Sequence, residues 1–259
     1  MKQSNKTRIA AKTQCLHNGR YTELIGIFDK EIKALSKVFE GVATTKYDYD
    51  ESKVLPTSEH SELVLLKDCA FELGGSDKPC ACATVITDSI PLSNQTIVVG
   101  KQLNDIKKDC SYAKIVLLGL KFGPDEEQGI FDLTKSLEYA KYKENVSGFM
   151  MRASAIRHRE QVRVSKSAIK NGLTFEKLGD TTIANYLSKD VVKNVTVIFV
   201  ADEDGVFDEI TDFAARTSDI LDAFNHILDN VLVDCAHCNL KQICDEVEGM
   251  REMHIKMAK

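Results

Sequence analysis

Seven short apolar runs, each closed off by polar, glycine or proline residues, limit what this chain can fold into more than any other feature. They are Leu63–Leu66, Ala83–Thr87, Thr96–Val99, Ile115–Leu120, Phe149–Arg152, Val162–Ser165 and Val195–Val200. Runs of this length, rich in Val, Ile and Phe, read as strands. Between them lie stretches with helical spacing. Pro124 and Asp125 suit a first helical turn, and Ile130, Leu133, Leu137 and Ala140 then share one face, so a helix is expected over Pro124–Lys141. A second is expected around Ser167–Asn171, ended by Gly172, which can take the left-handed conformation a helix C-terminus needs. Further helices are expected over Phe207–Leu228 and Ile243–Met257. Strands mixed with helices predict an α/β (mixed α+β) fold, a sheet with packed helices.

Upstream of the first strand, Leu24, Phe28, Ile32, Leu35 and Phe39 put an apolar stripe on one face of a helix expected over Tyr21–Val42. Residues 43–60 are polar and charged and read as a linker, because such a stretch cannot bury enough apolar surface to order itself independently. The expected organisation is an N-terminal helical segment with its linker (1–60), an α/β domain (61–230), and a C-terminal cysteine-rich loop plus helix (231–259).

A chain of 259 residues can bury its apolar side chains without a disulfide framework, and a 43% hydrophobic share is ordinary for a globular protein. The net charge of −5 argues against nucleic acid as partner. No apolar run approaches the roughly 18–20 residues that cross a bilayer. Residues 1–11 are basic and polar, without the apolar core of a secretory signal. The expectation is a cytoplasmic protein with no membrane partner. Eight cysteines then need a reason, since a reducing compartment keeps them as free thiols and air damages them. An anaerobic cytosol fits best.

Three of those cysteines lie close together in DCAHCNLKQICDEVEGMREMH. Cys235 and Cys238 form a C-x-x-C turn, which can bring two thiolates to one side of a metal centre. Cys244 follows at the start of an expected helix, where free backbone N–H groups and the helix dipole favour a thiolate. The spacing predicts a metal site, read first as a [4Fe-4S] cluster, with structural zinc as the alternative. The fourth ligand stays open among His237, His254, Cys80, Cys82, a cysteine of a second chain, or an exogenous group. Cys80 and Cys82 flank Ala81 on an expected strand, which puts both sulfurs on one face; as small buried hydrophobes they need no function.

Arg152, Arg157, Arg159 and Arg163 fall within one short stretch, MRASAIRHREQVRVSKSAIKNG. On a strand, Val162 and Val164 point one way while Gln161, Arg163 and Ser165 point the other. Guanidinium groups above a sheet, followed by a helix start near Ser165 and Lys166, suit an anionic ligand such as a phosphate. The competing reading is a solvated basic edge paired with the acidic run Asp202–Asp204. No glycine-rich phosphate loop is present, which argues against NAD and ATP. The segment ADEDGVFDEITD lacks the glycine and closing glutamate of a calcium loop and reads as an acidic first helical turn. No histidine shows catalytic partner spacing.

The segments KDCAFELGGSDKPCACATVIT, TIVVG, GFMMRASAIRHREQVRVSKSAIKNGLTFEKLG and VTVIFVADEDGVFDEITDFAAR resemble the middle domain of the acetyl-CoA synthase β subunit family of the carbon monoxide dehydrogenase complex. The resemblance runs from about Leu63 to Val200. It implies a cavity that receives coenzyme A, with Arg152, Arg159 and Arg163 as the residues around it; Gln161 stands where the family carries a tryptophan. It also implies a shortened form, since the family's Cys-Gly-Cys nickel site is missing and the full A-cluster is not encoded. The N-terminal domain that docks the dehydrogenase is likewise expected to be missing. The expected role is an accessory, electron-transfer or partner-dependent catalytic subunit in anaerobic one-carbon or acyl-CoA metabolism. Its partners would be other subunits of such a system, or a second copy of the chain. The alternative is a non-enzymatic ligand-binding or assembly module with structural zinc.

Overall fold

The strands fall into two five-stranded sheets, seen in a computed structural model that describes residues 24–75, 77–87, 92–121, 127–154 and 156–228. The first sheet runs β1 (Thr44–Asp48), β5 (Gln95–Gly100), β10 (Val192–Ala201), β6 (Tyr112–Leu120), β4 (Cys80–Thr87). Its pairings alternate: β1 is antiparallel to β5, β5 parallel to β10, β10 antiparallel to β6, and β6 parallel to β4. The second sheet runs β2 (Thr57–Ser58), β7 (Asn145–Val146), β8 (Phe149–Ala153), β9 (Glu160–Ser165), β3 (Cys69–Leu73), antiparallel throughout. The mixed α+β class read from the sequence holds, with two sheets in place of one.

Helix α1 (24–38) buries Leu24, Phe28, Ile32 and Leu35, the stripe its spacing predicts. Its polar side reaches the rest of the fold through Asp29, which accepts from the Thr87 hydroxyl at 2.5 Å, and Glu31, which accepts from Arg216 at 2.6 Å. Helix α2 (Glu127–Tyr139) is continued by a short 3₁₀ turn, Ala140–Lys143. Helix α3 (Lys166–Lys170) is capped by the Ser165 hydroxyl, which accepts from the Ala168 amide at 3.0 Å. It stops at Gly172, whose φ of 77° is the left-handed value expected there. Helix α5 (Phe207–Leu228) matches its predicted bounds and packs on β4.

The sequence reading also lacks strands β2, β3 and β7, and it differs from the structure in the following places. Leu63 and Leu66 are 72% and 71% exposed in a connecting segment, so the first apolar run is no strand. Within the stretch read as a linker, 44–48 form edge strand β1, because main-chain pairing to β5 orders them without an apolar face. Helix α4 (Phe175–Leu187) was not foreseen, since its buried side carries Gly179, Asp180, Thr181 and Thr182 among the apolar residues.

Helix α4 lies on β10 and β5, and Phe175 stacks on Phe199 with ring centroids 4.8 Å apart. The close approach is made by Gly179, where an added Cβ would stand 1.9 Å from the Thr96 hydroxyl oxygen. Gly179→Ala should therefore destabilise the protein by about 1–3 kcal/mol despite alanine's better helix propensity. A thermal melt checks this, and an unchanged or raised midpoint would contradict the packing.

Candidate functional site

Strand β9 presents different chemistry on its two faces. Val162 and Val164 are fully buried against the first sheet, as the alternation requires. On the other face Arg163 pairs across the ladder with Glu72 of β3 and Met150 of β8, and Arg152 of β8 pairs with Gln161. Both guanidinium groups turn to one carboxylate. Arg163 Nε donates to Glu72 Oε1 at 2.5 Å and Arg152 Nη1 reaches it at 3.5 Å. Asp109 accepts from the Glu72 amide at 2.7 Å and adds a second carboxylate nearby. Arg159, one residue before the strand, is exposed, and its side chain makes no hydrogen bond or ion pair among the described residues. Glu72 thus holds two of the guanidinium groups in place, while the Arg159 charge acts on Cys80 and His158.

The other basic residues are placed elsewhere. Lys166 Nζ donates to the Lys67 carbonyl at 3.0 Å, and the start of α3 is already satisfied by Ser165. Arg157 joins α2 to α5 through Glu138, at 2.7 Å, and Asp222. The acidic run pairs with other partners than the arginines: Asp202 with Lys101, and Asp204 with the Ser111 hydroxyl at 2.5 Å.

Cys80 and Cys82 lie opposite Tyr112 and Lys114 in the β4–β6 register, on one face as expected. Burial pushes the Cys82 thiol up to about 12 and the Cys110 thiol up to about 11, and raises Cys80 and Cys69 as well. These sulfurs are neutral thiols at physiological pH. Among the described residues, no group of three or more His, Cys, Asp or Glu is placed to hold a metal ion. Cys235, Cys238, Cys244, His237 and His254 lie outside the described residues.

A second set of charges, absent from the sequence reading, sits between the sheets. Lys114 of β6 and Glu144 form a buried ion pair at 2.5 Å, their side chains 10% and 7% exposed. Glu144 also accepts from the Thr182 hydroxyl at 2.8 Å and from Asn185 Nδ2 at 3.1 Å, so α4 closes the pair off from solvent. Glu160 of β9 and Lys141 stand nearby. No local signal marks these residues, because they meet only when the two sheets pack.

Comparison with known families finds a match over residues 56–206 to the CO dehydrogenase/acetyl-CoA synthase complex beta subunit, covering more than half of the chain. The chain belongs to that family. A comparison with curated proteins finds no match. The stretch shared with the beta subunit family contains Glu72, Arg152 and Arg163, the exposed Arg159, and Lys114, Glu144 and Glu160 between the sheets. Cys235, Cys238 and Cys244 lie beyond the shared stretch. Among the described residues no helix is long and apolar enough to cross a membrane.

Proposed function

We propose that this beta subunit relative serves anaerobic one-carbon or acyl-CoA metabolism as an accessory, electron-transfer or partner-dependent catalytic subunit. The reading joins an anionic ligand of the coenzyme A type on the β8–β9 arginine face to an iron–sulfur cluster on the C-terminal cysteines. The observation that carries it is the match over 56–206, which places the chain in the beta subunit family of a complex and includes the arginine face.

On that face Arg152, Arg159 and Arg163 would hold the phosphate groups, and Glu72 would keep two of the guanidinium forks oriented while the site is free. At the C-terminus Cys235, Cys238 and Cys244 supply the soft donor set that iron–sulfur chemistry requires, while the neutral buried thiols of Cys82 and Cys110 do not. A cluster bound there would supply one-electron transfer or an iron with an open position.

Titration with coenzyme A tests the ligand half. Arg163→Ala should weaken binding about ten- to hundredfold, the loss of one charge-assisted contact. Glu72→Gln should strengthen binding or leave it unchanged, because it frees Arg163 and Arg152 from a competing carboxylate. Equal affinity in wild type and Arg163→Ala would remove the face from the proposal. Metal analysis of protein prepared without oxygen tests the other half: iron and sulfide support the cluster, and a single zinc in colourless protein would replace it with a structural site.

A further inference from the structure

Glu160 directly follows Arg159 and precedes Gln161, yet it turns away from the side of β9 that carries Arg163 and is 3% exposed. Its carboxylate makes no hydrogen bond or ion pair with any described residue. Together with Lys114, Lys141, Glu144 and Thr182 it lines a cavity of about 20 Å³ between the two sheets and α4. The ammonium of Lys141 also lacks a carboxylate within ion-pair range among the described residues. It reaches the Cys82 sulfur at 3.6 Å and sits 5.2 Å from the Tyr142 ring centre. The hydroxyl of Tyr112, fully buried, has no hydrogen-bond partner among the described residues, and of the charged groups around it the Glu160 carboxylate acts on it most strongly.

Opposite charges that are buried, attract one another and yet stand beyond contact distance point to a bridging group. The cavity meets the size requirement, since one water needs roughly 10–15 Å³ of accessible space. The charges select against ions: two ammonium groups repel a cation, and two carboxylates repel an anion. We propose that this cavity binds a single ordered water molecule that accepts a hydrogen bond from a lysine ammonium and donates to Glu160, joining the first sheet to the second.

The buried carboxyl that the bridge requires leaves a signature in pH. Burial, opposed by Lys114 and Lys141 and reinforced by Glu144, sets the Glu160 carboxyl above its ordinary value. Cys82 and Tyr112, which also face it, remain protonated through neutral pH, and Lys114 and Lys141 stay charged because their affinity for the proton is raised. Below the ordinary carboxyl range Glu160 carries its proton in both folded and unfolded chains. As pH rises through the folded value, ionisation in the interior costs stability that a glutamine at this position does not lose.

The test has two parts. A crystal structure of the full chain, fine enough to show solvent, should place a water within hydrogen-bond distance of the Glu160 carboxylate and of Lys114 or Lys141 Nζ. A dry cavity, or a direct Lys141–Glu160 ion pair, overturns the proposal. In denaturant melts, the gap between Glu160→Gln and wild type should be absent at acid pH and open in favour of the variant as pH rises. A gap that stays constant with pH overturns it equally, and the wild-type density decides alone should the variant not fold.

Discussion

Exchanging Cys238 for serine is expected to strip iron and acid-labile sulfide from protein prepared without oxygen, down to background. The size of the effect follows from the donor count. Three thiolates on one short segment leave a [4Fe-4S] cluster no donor to spare, and removing the one shared by the C-x-x-C turn and the run to Cys244 leaves two sulfurs separated by eight residues. A hydroxyl does not replace the lost donor, because it stays protonated where a thiol ionises. Cys69→Ser is the matching control: that thiol sits at the start of β3 with its acidity lowered by burial and by Glu72, and its loss should leave iron unchanged. Equal iron in Cys238→Ser and wild type would end the cluster assignment.

The second large effect is on stability. Lys114→Met should cost about 3–5 kcal/mol, because it leaves the Glu144 carboxylate buried with its countercharge gone. For a chain of this size that lowers the melting midpoint by roughly 10 °C or more. Burial works against the Lys114 charge, yet attraction to Glu144 and Glu160 outweighs it and holds the ammonium above its usual pKa. The penalty belongs to the orphaned partner more than to the lost attraction, so the double variant Lys114→Met/Glu144→Leu should recover much of the stability. A double variant no more stable than Lys114→Met would show that Glu144 matters chiefly through Thr182 and Asn185.

How far the sequence could be read depends on whether a residue's neighbours in the chain report its surroundings. Strand β9 was legible, because valine and arginine alternate with the period of the pleat. So was α1, whose buried Leu24, Phe28, Ile32 and Leu35 recur at helical spacing. Strand β1 was not, since TTKYD buries no residue fully and owes its order to β5. Helix α4 hides its character behind buried threonines and an aspartate whose partners are remote: Thr181 accepts from the Leu55 amide at 2.9 Å and Asp180 from the Asp50 amide at 3.3 Å. The same remoteness hid the interior charges, for an acid beside Arg159 and Gln161 reads as solvent-facing. The C-x-x-C spacing of Cys235 and Cys238 stands apart from all of these, because it is local in the sequence and lies outside the described residues.

Strand β9 also limits how this chain can vary. Its inward side carries Glu160, Val162 and Val164, and its outward side Gln161 and Arg163. Sliding it by one residue against β3 and β8 would drive a guanidinium into the hydrocarbon interior and expel both valines, an exchange no local adjustment absorbs. Insertions and deletions in descendants of this sequence must therefore fall outside the strand, in the hairpin leading from Arg152 or past the cap of α3.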